Sequence, residues 1–250
     1  MRFFWRNSDF PLLSHDDWLE RIDVKNRRQG TSAPTLATSW AGPLDLLGAL
    51  ATVPELAGIT LNSVTPEAKA SFDAHGGNVR NHDLVLRGTT LLGDSVVVCV
   101  EAKAGETLGD PVAMQRRRAE QAKEAKPDSK ALARLDDLLD RFCRYPGDDP
   151  RTKALYYQLL TGWAGTLTDA ASADHAVFAV HEFRTDQRPD DKTFANRVQL
   201  DRFADAVLGC ELPAVTPPWC VRVPAVKGLD AKLYLAHLIT DLRRERLQGV

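Results

Sequence analysis

Val96-Val97-Val98-Cys99-Val100 is an unbroken apolar run, β-branched at all but one position. A run this short, with Ser95 before it, predicts a central strand covered on both faces. It passes directly into Glu101-Ala102-Lys103. Ahead of it, Val79 to Leu86 fits a second strand, with Leu84 and Leu86 on one side of the pleat and Asp83 and Val85 on the other. Turn signals at His75-Gly76-Gly77-Asn78 and from Gly88 to Asp94 bound that strand. A fainter alternation from Ala68 to Asp73 predicts a strand before it.

The remaining periodicity is mostly helical. Ser14-His15-Asp16-Asp17 followed by Trp18, Leu19 and Ile22 reads as a short capped helix. Thr35 to Leu56 carries Leu36, Trp40, Leu44, Leu47 and Leu50 at helical spacing, with Pro43 a boundary. Pro111 to Tyr145 is charged and helical, broken at Pro127, with Leu132, Leu135, Leu138, Leu139 and Phe142 as one stripe. Pro150 opens a helix through about Ala171. Ala176 to Phe183 is a strand and Phe194 to Leu208 a helix. Trp219 to Val226 is extended, and Pro224 assigns it to a sheet edge. Leu229 to Leu247 reads as a closing helix with Arg243, Arg244 and Arg246 near its negative end. Helix, three strands, helix, strand is the order expected of an α/β fold with a mixed sheet flanked by helices.

Composition narrows this only slightly. The 250 residues suit one domain with additions or at most two small ones, and 44% hydrophobic with 26% charged residues is ordinary for a soluble globular chain. No run of 18 apolar residues predicts a membrane span, and the first residues lack a signal-peptide core. A cytoplasmic protein is expected. Cys99, Cys143, Cys210 and Cys220 form no CxxC pair and no zinc-finger spacing with histidine, so ordinary reduced thiols are expected. The net charge of −2 neither announces a nucleic-acid partner nor excludes one, since a local basic face can still neutralise phosphates.

The chemistry concentrates at the end of the apolar strand. Period-2 alternation puts Glu101 and Lys103 on one face and Ala102 on the other. Charges so placed lose hydration unless something compensates. Asp83, on the neighbouring strand, is expected close enough to Glu101 to share a cation. Two carboxylates offer hard oxygens to Mg²⁺ or Mn²⁺, and an ammonium beside them can hold water or phosphate. The competing reading is a surface hairpin with a solvated pair.

Asp83, then Glu101-Ala102-Lys103 at the end of an apolar strand, resembles the PD-(D/E)xK nuclease superfamily. More closely, Pro66-Glu67-Ala68-Lys69, Asn81-His82-Asp83-Leu84, Val100-Glu101-Ala102-Lys103, Tyr157-Gln158-Leu159-Leu160 and His175-Ala176-Val177 look like an uncharacterised bacterial family within it. The resemblance implies a restriction-endonuclease-like αβββαβ core over about 35–185, inside a single domain of 1–250 with additions at 1–34 and 186–250. It implies a divalent-metal-dependent nuclease, endodeoxyribonuclease-like, acting in defence against foreign DNA. Asp83, Glu101, Lys103 and Gln158 would be catalytic. Asp83 and Glu101 would bind Mg²⁺ or Mn²⁺, with Glu67, Asp45 or Glu55 as candidates for a further acid and Glu67 the one chosen. His82 stands where the motif has proline. Gly162 stands where the longer QxxxY form has tyrosine. The expected partner is nucleic acid, DNA foremost, with a homodimer or a complex partner left open. The alternatives are a non-catalytic member that binds nucleic acid or protein, and a purely structural domain.

Other features favour plain readings. Arg116-Arg117-Arg118, with Lys123, Lys126 and Lys130, is interleaved with Glu120, Glu124 and Asp128, as on a solvated helix with i,i+4 pairs. The histidines are scattered, and His82 is expected to point away from Asp83. The tryptophans read as core, and Gly76-Gly77 is no phosphate loop because no GK[ST] follows.

Overall fold

The computed structural model describes residues 2–3, 15–21, 32–39, 44–75, 80–186 and 191–243. Its frame is a seven-stranded sheet in the order β1-β2-β3-β4-β5-β7-β6. The strands are β1 (Arg2–Phe3), β2 (Thr60–Ala70), β3 (Arg80–Thr89), β4 (Ser95–Lys103), β5 (His175–Arg184), β6 (Trp219–Arg222) and β7 (Lys232–Asp241). β2, β3 and β4 form an antiparallel meander, while β4, β5 and β7 run parallel. β1 is parallel to β2, and β6 is an antiparallel edge. The sheet is therefore mixed and the fold α/β, as expected. The helices are α1 (His15–Arg21), α2 (Ser32–Ser39), α3 (Leu44–Leu50), α4 (Val112–Ala125), α5 (Ala131–Phe142), α6 (Pro150–Lys153), α7 (Tyr157–Ala170) and α8 (Asp191–Phe203).

β4 is central, and every residue from Val96 to Lys103 is buried. Its two faces feed separate cores. Val97 and Cys99 pack with Val85, Phe178 and Val180 under Leu159, Leu160 and Trp163 of α7, and α5 and α8 complete that layer. Val98, Val100 and Ala102 pack with Leu84, Leu86 and Ala179 under Leu36, Leu46 and Leu50 of α2 and α3. Burying each of the valine, leucine and phenylalanine side chains contributes about 1.5–3 kcal/mol.

Four sequence expectations change. The expected closing helix is strand β7. Leu233, Tyr234, Leu235, Ala236 and Leu238 are all buried, so the run is a strand covered on both faces, and such runs read equally as helix. Arg244 and Arg246 lie outside the described residues, as do Trp40, Pro43 and residues 76–79. β2 starts at Thr60, well before Ala68. The helix expected from Pro150 is interrupted between α6 and α7, where Leu155 accepts from the Val112 N–H at 2.7 Å and Tyr157 donates to the Asp110 carbonyl at 3.0 Å. Finally, two arginines of the cationic run on the solvated α4 pair with acids outside the helix, where i,i+4 pairs were expected. Arg116 pairs with Asp136 of α5 at 2.6 Å, and Arg118 pairs with Asp110.

Candidate active site

Glu101 and Lys103 sit at the end of β4 on the face covered by α7. Only 2% of Glu101 and 5% of Lys103 is exposed, so the solvated-hairpin reading does not hold. Lys103 Nζ lies 2.6 Å from Glu101 Oε1. The second oxygen of Glu101, Oε2, meets the guanidinium of Arg80, at the start of β3. A buried carboxylate is thus held between two cations, the compensation that such burial demands. Burial pushes the Lys103 ammonium below its usual range, and the nearby charge of Asp83 opposes that shift. Arg80 is lowered by the same cause, with Asp83 and Glu67 opposing.

Asp83 occupies the point where β3 and β4 part. Their ladder ends at Leu84↔Val100, and the Ala102 N–H beyond it donates to Asp83 Oδ2 at 2.7 Å. Asp83 also acts electrostatically on Lys103, so the three motif residues are neighbours. Asp83 lies opposite Glu67, because Pro66 pairs with Leu84 and Ala68 with His82. Both strands turn over at this step. Pro66's partner Leu84 belongs to the α2–α3 face, whereas Ala68 belongs to the α7 face. Glu67 takes φ +51, a left-handed conformation that is costly for a side-chain-bearing residue and concentrates at functional sites. The turnover also redirects His82. Instead of pointing away, its ring lies under α7 against Gly165.

Gln158, in the first turn of α7, lines a cleft of about 510 Å³ together with Arg80, Asn81, Arg134, Tyr157 and Phe72. Its Oε1 is buried and accepts no hydrogen bond among the described residues. Arg80 is common to this cleft and to Glu101, and so forms the wall between them. Of the further acids, Asp45 accepts from Thr240 of β7 at 3.2 Å and Glu55 lies 3.9 Å from Arg222 of β6, both away from Glu101. Glu67 alone of the three acts on Arg80.

The candidate site residues all fall within the span of a family model. The model, for a domain of unknown function (DUF6946), matches residues 11–235. The chain belongs to the DUF6946 family. No curated protein and no solved structure matches it. The DUF6946 match covers α1 to the middle of β7, which includes every residue of the candidate site.

Two features of this DUF6946 chain escape sequence reading. Arg80 is one, because nothing in the motif marks it. The other is Glu182, which pairs in register with Lys103 across β4 and β5. It is 3% exposed, accepts from Asn196 Nδ2 at 2.8 Å, and lies 2.7 Å from His237 Nε2. The only available signal was a charged residue inside an apolar strand. The donor set of Asp83, Glu101 and Glu67 suits a hard divalent cation in kind. Their oxygens are not gathered into a cage, however, since each of the first two is tied to a protein partner and Arg80 stands among all three.

Proposed function

We propose that this chain is a Mg²⁺- or Mn²⁺-dependent nuclease of the PD-(D/E)xK kind with a restriction-endonuclease-like core, cutting phosphodiester bonds in DNA, in the cytoplasm and in defence against foreign DNA. The observation that carries the reading is the buried Glu101–Lys103 pair at a strand end, with Asp83 at the parting of the adjacent strand and an open cleft beside it. Helix α3, strands β2 to β4, the α4–α7 helices and β5 follow in the order that the resemblance implies. Asp83, Glu101 and Glu67 would hold the cation, and Mg²⁺ bound there supplies Lewis acidity toward a phosphate oxygen and an activated water. Lys103, an ammonium at low hydration, positions the water or the scissile phosphate. Gln158, whose buried Oε1 accepts no hydrogen bond among the described residues, lines the cleft beside Arg80. Arg80 must release Glu101 before the carboxylate takes a cation. Once released it lies at the cleft, where a guanidinium fits a backbone phosphate.

The Arg80–Glu101 contact favours a second reading, a non-catalytic member in which the guanidinium permanently replaces the cation. A panel of linear, nicked, supercoiled and single-stranded DNA plus RNA, each with and without Mg²⁺ or Mn²⁺, separates the two. Divalent-dependent cutting supports the nuclease. Metal-independent binding with no cutting supports the second reading.

A further inference from the structure

We propose that His82 of β3, Cys99 of β4 and Asp169 of α7 form a separate metal site that takes Zn²⁺. One ligand atom from each residue lies within 4.8 Å of the others. Cys99 Sγ is already 3.8 Å from Asp169 Oδ2. Asp169 uses its other oxygen, Oδ1, to pair with Arg87, so Oδ2 is the one turned toward the cluster.

The observation that asks for a ligand is His82. It has no exposed surface, and neither ring nitrogen has a hydrogen-bond partner among the described residues. Buried polar groups are nearly always paired, so an imidazole with both nitrogens idle calls for a bound group. The Gly165 backbone also comes near the ring, without ordinary hydrogen-bond geometry.

The donor set then selects the ion. A thiolate and an imidazole are too soft for Mg²⁺ and suit Zn²⁺. Zinc bonds of about 2.0–2.3 Å place tetrahedral ligands roughly 3.5 Å apart, so the cluster must close by about 1 Å. Burial pushes the Cys99 thiol up, and the neighbouring Asp169 adds to that shift. On binding, sulfur, nitrogen and oxygen each form one bond to zinc, and the Cys99 proton passes to solvent with no change of oxidation state. Thiolate and carboxylate together balance the ion's charge, and Arg87 keeps its place on Oδ1. Asp169, a fifth exposed, gives the ion its way in. The product is a clamp that pins α7 to β3 and β4, beside Asp83 and two residues from Glu101. It stands whether or not the chain cuts DNA.

The test uses the full chain stripped by a chelator and titrated with Co²⁺. One equivalent should produce a thiolate-to-cobalt charge-transfer band, which Zn²⁺ then bleaches while raising the Tm. Cys99→Ser should lose the band. The variant Cys143→Ser/Cys210→Ser/Cys220→Ser should keep it. Asp169→Asn, at a partly exposed position, should fold and bind about tenfold or more weaker. It decides the matter with the triple variant if Cys99→Ser does not fold. No band and no Zn²⁺-dependent rise in Tm for the stripped protein would overturn the site. So would a band that survives in Cys99→Ser, or one that disappears in the triple variant.

Discussion

Glu101 is held by Lys103 on one oxygen and Arg80 on the other, so each of these charges depends on its neighbours. From the motif alone, removing a carboxylate should relieve repulsion and leave stability untouched. The geometry reverses that expectation. Glu101→Ala strands two buried cations and should cost about 3–5 kcal/mol, read by urea denaturation. Asp83→Asn should cost less, about 1–3 kcal/mol, because the amide oxygen can still accept the Ala102 N–H while the charge beside Lys103 and Arg80 is lost. Arg80→Met should strengthen Mn²⁺ binding tenfold or more in an electron-paramagnetic titration, since a close like charge at such a site opposes the ion by on the order of 1–4 kcal/mol. Unchanged affinity would mean that Arg80 does not compete. His181 sets a pH limit on the other side of β5. Burial pushes it down to about 4, with His237 lowering it further and Asp45 opposing, and its Nε2 lies 2.8 Å from Thr240 Oγ1. The unfolded chain binds this proton more readily, so the contribution is full above about 6.5 and is lost as pH falls toward 4, at up to about 1.4 kcal/mol per pH unit. His181→Gln should flatten that part of the stability–pH curve. At the residue scale Glu101, Lys103 and Asp83 were legible because alternation and a five-residue apolar run are local. Arg80 was not, since its importance comes from where its guanidinium lies.

Helix α7 is the element on which both sites depend, and its glycines set its distance from the sheet. A Cβ on Gly165 would stand 2.5 Å from His82 Nε2 and 3.3 Å from Ala70 Cβ. One on Gly162 would stand 2.7 Å from Phe178 Cζ. Gly165→Ala gains about 1 kcal/mol of helix propensity but overpacks a buried contact, which costs about 1–3 kcal/mol. A net fall in Tm is expected, and a rise would show that α7 can lift freely. The strands show where pattern reading stops. β4 announced itself, but β7 did not, because an apolar run placed between two strands has no period to distinguish it from a helix. The turnover at Glu67 and Asp83 was hidden for a related reason. Alternation assumes a regular pleat, and a left-handed Glu67 breaks it in two strands at once. His82 was therefore assigned the wrong face, and the cluster that it forms with Cys99 and Asp169 could not be seen from spacings in sequence.

At the scale of the whole molecule, the sheet carries Glu101, Asp83 and Glu182 on one face and leaves α2 and α3 to seal the other. Among the described residues no helix is long and apolar enough to cross a membrane. What the assembly does rests on whether the cleft beside Arg80 admits a nucleic-acid backbone and whether a divalent cation then replaces that arginine. The most direct measurement is the cleavage of supercoiled DNA in Mg²⁺ or Mn²⁺ by the wild-type chain and by Asp83→Asn, each shown by circular dichroism to be folded. The wild type should nick and linearise the plasmid, an activity lost on adding a chelator and reduced at least a hundredfold in Asp83→Asn, about 2.7 kcal/mol of transition-state stabilisation. Equal cutting by the two proteins, or no cutting by the wild type with either metal, would contradict the proposed nuclease function.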